Sequence, residues 1–134
     1  MRVLALDYGS ARCGCALSDP TGTLATPIEP VLRPATRKGF ARVCDLVRDC
    51  DAVRVVVGLP LSLSGRDSAQ TQETRAFAHR LAERVGVPVE LYDERFTTRL
   101  AARDPGTPRA SEDSRAAAHL LEDWLAARRM RQDG

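Results

Sequence analysis

Lysine is almost missing from this chain: of its 20 basic residues only Lys38 is lysine, and the other cations are arginine. An arginine-dominated set suits phosphodiester ligands, because the planar guanidinium grips phosphate at two points. Arginine codons of a GC-rich genome produce the same bias and are its simpler cause. Aromatic residues make up only 4%, which excludes a broad platform for base stacking. No apolar run reaches the length that spans a bilayer. Met1-Arg2-Val3-Leu4 enters a strand at once, without the succession of regions that marks a secretory leader, so the expected compartment is the cytoplasm. Net charge is only +2 and does not by itself announce a nucleic-acid binder. The four cysteines show no CxxC spacing, so buried free thiols are expected and zinc is not. A P-loop pattern is also lacking.

What is present fits one α/β domain over residues 1–134, with 43% hydrophobic and 28% charged residues. Residues 2–7 read as a buried strand ending at Asp7. Tyr8-Gly9-Ser10 forms a turn, and Arg12 to Ser18 alternates Cys13, Cys15 and Leu17 with Gly14 and Ala16 as a second strand. Asp19-Pro20-Thr21-Gly22 turns the chain into a third strand, Thr23 to Val31, whose prolines suit a sheet edge. A helix follows, starting at Pro34-Ala35-Thr36 and running to about Cys50, with Phe40, Val43, Cys44, Val47 and Cys50 inward. Val53 to Val57 is a β-branched strand typical of a parallel position, ended by Gly58-Leu59-Pro60. The next helix, about 68–85, buries Thr74, Phe77, Ala78, Leu81, Ala82 and Val85 and stops at Gly86. A fifth strand covers Val87 to Tyr92, Thr97 or Thr98 caps a short helix, and a last helix runs from about Ser111 to Arg129. The predicted fold is a mixed five-stranded sheet, three antiparallel opening strands followed by parallel ones, with helices on both faces.

Carboxylates stand where such a sheet gathers ligands, at the carboxyl ends of its parallel strands. Asp7 closes the first strand, and Asp93-Glu94 follow the fifth. Asp113 lies one helical step before Ala117, so it continues the apolar stripe Ala117, Leu120, Leu121, Trp124 and Leu125. Helix capping also explains Asp113, a turn explains Asp7, and an ion pair with Arg95 explains Asp93-Glu94. Acids converging from three elements repel one another unless a cation sits among them, which points to a divalent metal and phosphate chemistry. His79 and His119 are expected on outward helix faces, with no role as base.

The strings Leu6-Asp7-Tyr8-Gly9-Ser10, Arg12-x-Gly14 and Ser18-Asp19 resemble the opening of the YqgF/RuvX family of bacterial RuvC-like nucleases. Gly58-Leu59-Pro60-Leu61, Gly65, Arg75-x-Phe77-Ala78, Leu81 and Asp93-Glu94-Arg95-Phe96-Thr97-Thr98 continue the likeness. So do Asp113-x-x-Ala116-Ala117, Leu120-Leu121 and Asp123-Trp124-Leu125. Ala11 replaces a usual basic residue, the stretch from Thr98 to Asp113 is short, and the basic residues before Asp113 thin to Arg109.

The resemblance implies an RNase H-like fold and metal-dependent cleavage of phosphodiesters, with trimming of the 5′ end of precursor 16S rRNA as the role. On this reading Asp7, Glu94 and Asp113 hold two Mg²⁺ or Mn²⁺ ions, with Asp93 in reserve for Glu94. Arg12 and Arg95 grip substrate phosphates. Gly58 permits close approach at the strand end, and the loop Leu61 to Arg66 flanks the groove. Structured RNA is the favoured substrate. Three other readings compete: a Holliday-junction or other structured-DNA nuclease in DNA repair, a non-catalytic nucleic-acid or ribosome-binding module, and an actin-like phosphotransferase. The last needs two such domains around its nucleotide. Monomer and homodimer both remain open.

Overall fold

The structure, a computed structural model, describes residues 2–60, 68–93 and 109–133, with the side chains of the last helix described over 114–130. Five strands and three helices follow in the order β1 (Val3–Asp7), β2 (Arg12–Ser18), β3 (Ala25–Leu32), α1 (Arg37–Asp49), β4 (Arg54–Leu59), α2 (Ala69–Val85), β5 (Val89–Asp93) and α3 (Arg109–Asp133). They form a single mixed sheet in the spatial order β3-β2-β1-β4-β5. β1, β2 and β3 pair antiparallel, whereas β4 pairs parallel with both β1 and β5.

Period-two alternation in β1 sorts the core into two layers. Leu4 and Leu6 join Val55, Val57, Cys13, Cys15, Phe40, Val43, Phe77 and Leu81 on the face covered by α1 and α2. Val3 and Ala5 join Ala16, Val56, Ala117, Leu120, Leu121, Trp124 and Leu125 on the face covered by α3. Both β1 and β4 are apolar on each face because each face is covered.

β3 lies at the sheet edge, as its prolines foretold. Its pairing with β2 shifts between Cys13↔Val31 and Cys15↔Ile28, so two residues of β3, Glu29 and Pro30, oppose Gly14 alone. Proline offers no amide to the ladder, and a bulge is where a strand accommodates it. The Thr36 hydroxyl caps α1 by accepting from the Gly39 amide at 3.1 Å. Ser68 caps α2 in the same way through Thr71, and Gly86 ends α2 at φ 65°.

Four expectations need correction. β4 continues through Gly58 and Leu59, whose partners in β5 are Tyr92 and Asp93, so Gly58 lies inside a strand and not in the turn after it. Ala82 is exposed; α2 buries Thr71 in its place, whose hydroxyl donates to the Pro60 carbonyl. α1 keeps Phe40, Val43 and Val47 buried, while Cys44 and Cys50 are half-buried at its margin. Finally, α3 is longer than expected at both ends. The short helix expected at Thr97 or Thr98 and the loop Leu61 to Arg66 lie outside the described residues.

Trp124 fixes α3 to the β5 side of the sheet. Its indole N–H donates to Glu90 Oε2 at 3.0 Å, and the same oxygen lies 3.5 Å from Arg54. Arg54 and Arg128 both approach the indole ring, at 6.0 and 5.3 Å from its centre.

Candidate active site

β1 delivers Asp7 to the end of the sheet. By alternation Asp7 shares the α3 face with Val3 and Ala5, and it is half-buried. Its partner in β2 is Gly14. On the other side β1 pairs with β4 up to Leu6↔Val57, which places Gly58 next in register beside Asp7. Both neighbours of this carboxylate on its own sheet face are therefore glycines without side chains. Gly58 in turn pairs with Tyr92, which packs toward α3.

The turn after Asp7 is equally constrained. A Cβ on Gly9 would stand 2.7 Å from the Arg12 carbonyl oxygen, closer than real Cβ atoms come to such an atom. Tyr8 belongs to the opposite layer, where its ring lies 4.7 Å from that of Phe77. Burial, reinforced by Glu73 and Cys13, raises the Tyr8 phenol above its ordinary pKa and keeps it neutral. Arg12 opens β2 two residues before Gly14, so alternation puts it on the Asp7 face.

At the other side of the sheet, Asp93 ends β5 opposite Leu59. It falls in phase with Val89 and Leu91, which pack on the α1/α2 layer. Asp7 and Asp93 thus occupy opposite faces. Glu94 and Arg95 follow immediately in the chain but lie outside the described residues.

α3 approaches the Asp7 face from above β2 and β3. Asp113 is the fifth residue of this helix; its side chain lies outside the described set. The next residue, Ser114, is almost fully buried at 1% exposure. Its hydroxyl accepts the Cys15 amide hydrogen at 3.3 Å and donates to the Ile28 carbonyl, bridging the strands at the bulge. Sequence reasoning passed over Ser114, although its spacing of three from Ala117 put a polar residue on the buried stripe. That was the available signal.

Among the described residues no group of three or more His, Cys, Asp or Glu converges on a point. Of Asp7, Glu94 and Asp113, Asp7 is the one whose side chain is described. It fits a hard divalent cation as an oxygen donor at the rim of the core, with no side chain on either flanking residue. His79 is exposed and paired to Glu83 at 3.0 Å. His119 is half-buried, 3.8 Å from Glu122. Among the described residues no helix is long and apolar enough to cross a membrane.

Residues 1–127 match the family model described as "RuvX: Holliday junction resolvase". A protein of Mycobacteroides abscessus named "Putative pre-16S rRNA nuclease" is 42% identical over 137 residues, covering 96% of this chain and 82% of its own. A Leifsonia xyli protein of the same name is 39% identical, covering 94% and 86%. Among solved structures, Thermus thermophilus RuvC in complex with a Holliday junction substrate superposes with a TM-score of 0.64 at 19% identity, over 96% of both chains. The likeness to RuvC is one of fold: the five-stranded mixed sheet and its helical layers recur.

Proposed function

Because the chain belongs to the RuvX family, we propose that it is a nuclease hydrolysing phosphodiester bonds in structured RNA, with precursor 16S rRNA trimmed at its 5′ end as the substrate. One observation supports this reading above the others: a half-buried carboxylate, Asp7, ends the central strand between two glycines on the face that α3 covers. Glycines there let a phosphodiester approach the carboxylate more closely than any side chain would allow.

In this proposal Asp7, Glu94 and Asp113 hold divalent Mg²⁺ or Mn²⁺. When bound, the metal supplies an activated water and stabilises the leaving oxygen. Asp7 comes from a constrained position, the end of a strand with partners on both sides. Asp113 follows α3, which Ser114 secures to β2 and β3 one residue later. Glu94 is preferred to Asp93 because Asp93 is in phase with the opposite layer. Arg12, on the Asp7 face, and Arg95 orient the substrate phosphates.

The second reading keeps the chemistry and exchanges the substrate. The family description and the RuvC fold favour branched DNA. The deciding assay gives purified protein, with Mn²⁺, labelled precursor 16S rRNA and a labelled four-way DNA junction in parallel. Cleavage of the RNA at its 5′ flank, abolished by Asp7→Asn in a normally folded protein, is the expected result. Cleavage confined to the junction selects the resolvase. Binding of either substrate without any cleavage would replace both with a non-catalytic module.

A further inference from the structure

Charge is distributed along α1 in the reverse of what a helix favours. Arg37 and Lys38 occupy its first turn, where no acid is present, and Asp45, Asp49 and the following Asp51 gather toward its end. Cations at a helix N-terminus meet the positive end of the backbone dipole, so this arrangement works against the helix itself. The acids near its end are partly balanced by Arg48, which lies 2.7 Å from Asp45 and 3.8 Å from Asp49. Arg33, Arg37 and Lys38 are all exposed. Among the described residues none of these three takes part in an ion pair.

Backbone bonds hold this patch against the Asp7 end of the sheet. Arg12 pairs with Leu32 across β2 and β3, and the Arg33 amide donates to the Ala11 carbonyl at 2.9 Å. The Thr36 amide and hydroxyl both donate to the Arg33 carbonyl, at 3.1 and 2.7 Å, tying the first turn of α1 to the same corner. Cations from β2, from the β3–α1 turn and from α1 therefore line one end of the sheet, Arg12 on the α3 face and Arg37 and Lys38 around the edge on the α1 side. That line begins two residues of β2 beyond Gly14, the partner of Asp7. Strand spacing puts the Arg33 backbone roughly 10–15 Å from Asp7, about two phosphate steps along an extended strand.

We propose that Arg33, Arg37 and Lys38, continuing from Arg12, form a cationic track that holds the sugar–phosphate backbone of the substrate strand where it leaves the Asp7 site. The track rests on the nuclease reading for its substrate and extends it by giving the strand a direction, across β2 and β3 toward α1. It binds phosphates without reading bases, since the patch has cations and no exposed aromatic residue.

The test uses the full chain with Arg33→Gly, Arg37→Ala and Lys38→Ala combined. Glycine is chosen at Arg33 because its φ is 46°, a conformation glycine adopts freely. Affinity for a labelled precursor 16S rRNA fragment with a single-stranded 5′ flank of about twenty nucleotides is measured against salt, and cleavage is measured on that RNA and on one whose flank ends next to the scissile bond. Loss of three phosphate contacts reduces the slope of log affinity against log salt by about 2. The expected result is that smaller slope, a KM raised about tenfold or more on the long RNA, an unchanged kcat, and no change on the short RNA. Arg37→Lys in a chain otherwise intact keeps the charge and leaves the slope at its wild-type value. A folded triple variant with the wild-type slope and KM overturns the track. Should the triple variant unfold, Arg37→Ala and Lys38→Ala are read singly, each expected to lower the slope by about 0.7. Wild-type protein that binds RNA but cleaves nothing defeats the nuclease reading, while the salt slope still decides the track.

Discussion

Ser114 and Cys15, 99 positions apart in the chain, are joined by a hydrogen bond from the Cys15 amide to the Ser114 hydroxyl. The same hydroxyl donates to the Ile28 carbonyl, so one side chain of α3 closes the gap that the β3 bulge opens. Asp113 immediately precedes this anchor. A carboxylate proposed to bind metal therefore starts from a backbone secured to two strands.

Ser114→Ala is expected to remove both bonds, leaving the buried Cys15 amide and the half-buried Ile28 carbonyl without this partner. The loss is about 1–3 kcal/mol, measured by urea unfolding. If Ser114 positions Asp113, kcat falls and the Mn²⁺ concentration for half-maximal cleavage rises, which a purely structural role does not produce. Equal stability and equal metal dependence in the variant would remove Ser114 from the account.

Elements with strong periodicity were legible in the chain itself. β1 and β2, with Asp7 and Arg12 at their ends, lie where alternation predicts, and the stripe Ala117 to Leu125 packs on the sheet as its spacing requires. The end of β4 was not legible, because Gly58 and Pro60 read as a stop while the β5 partner that extends the ladder through Leu59 is distant in sequence. Ser114 escaped notice for a related reason. A serine on an apolar stripe has meaning only once the strand bulge it fills is known. Of the adjacent acids, Glu94 stood first and Asp93 in reserve; the register of β5 gives Asp93 to the α1/α2 layer, a placement that depends on strand pairing and not on the string itself, while Glu94 lies outside the described residues.

Gly39→Ala is expected to destabilise the protein strongly. A Cβ there would lie 1.9 Å from the Arg33 carbonyl oxygen and 2.7 Å from that of Leu32. Alanine raises intrinsic helix propensity by about 1 kcal/mol. The overlap is with backbone and cannot be relieved by a rotamer change, so overpacking dominates at about 2–4 kcal/mol net. Chemical unfolding checks the sign: a Gly39→Ala protein as stable as wild type would mean that the corner holding Arg33 is loosely packed.

Asp19 clamps the β2–β3 turn. Its carboxylate accepts from the amides of Leu24 at 2.9 Å and Thr23 at 2.7 Å and from the hydroxyls of Thr21 and Thr23. The Leu24 amide first, then the Thr21 hydroxyl, hold its pKa well below the ordinary carboxylate range. A folded pKa below the unfolded value of about 3.9 means that the clamp contributes fully above that pH and is lost as pH falls toward the folded value. Amide exchange by NMR should therefore show Thr23 and Leu24 protected down to about pH 3, after ordinary carboxylates have begun to protonate. Asp19→Ala should remove that protection at every pH. Rapid exchange of both amides in the wild-type protein near pH 5 would refute the clamp.

Adjacent acids at the end of β5 offer the sharpest separation of chemistry from mere charge. Asp93 pairs with Leu59 and is in phase with Val89 and Leu91, on the face away from Asp7. Neutralising it removes one negative charge near the site without removing a ligand from the Asp7 side. Glu94, proposed as the ligand, differs from it by a single position in sequence. Asp93→Asn is therefore expected to retain most cleavage and wild-type metal dependence, while Glu94→Gln abolishes cleavage in a protein that melts normally. Each variant is assayed on the same RNA across a Mn²⁺ titration, with thermal unfolding as the check on folding. If Asp93→Asn were the silent enzyme and Glu94→Gln the active one, the proposed ligand set would have to be rebuilt on the α1/α2 side of the sheet. Asp7 would then stand on the wrong face to share a metal with it.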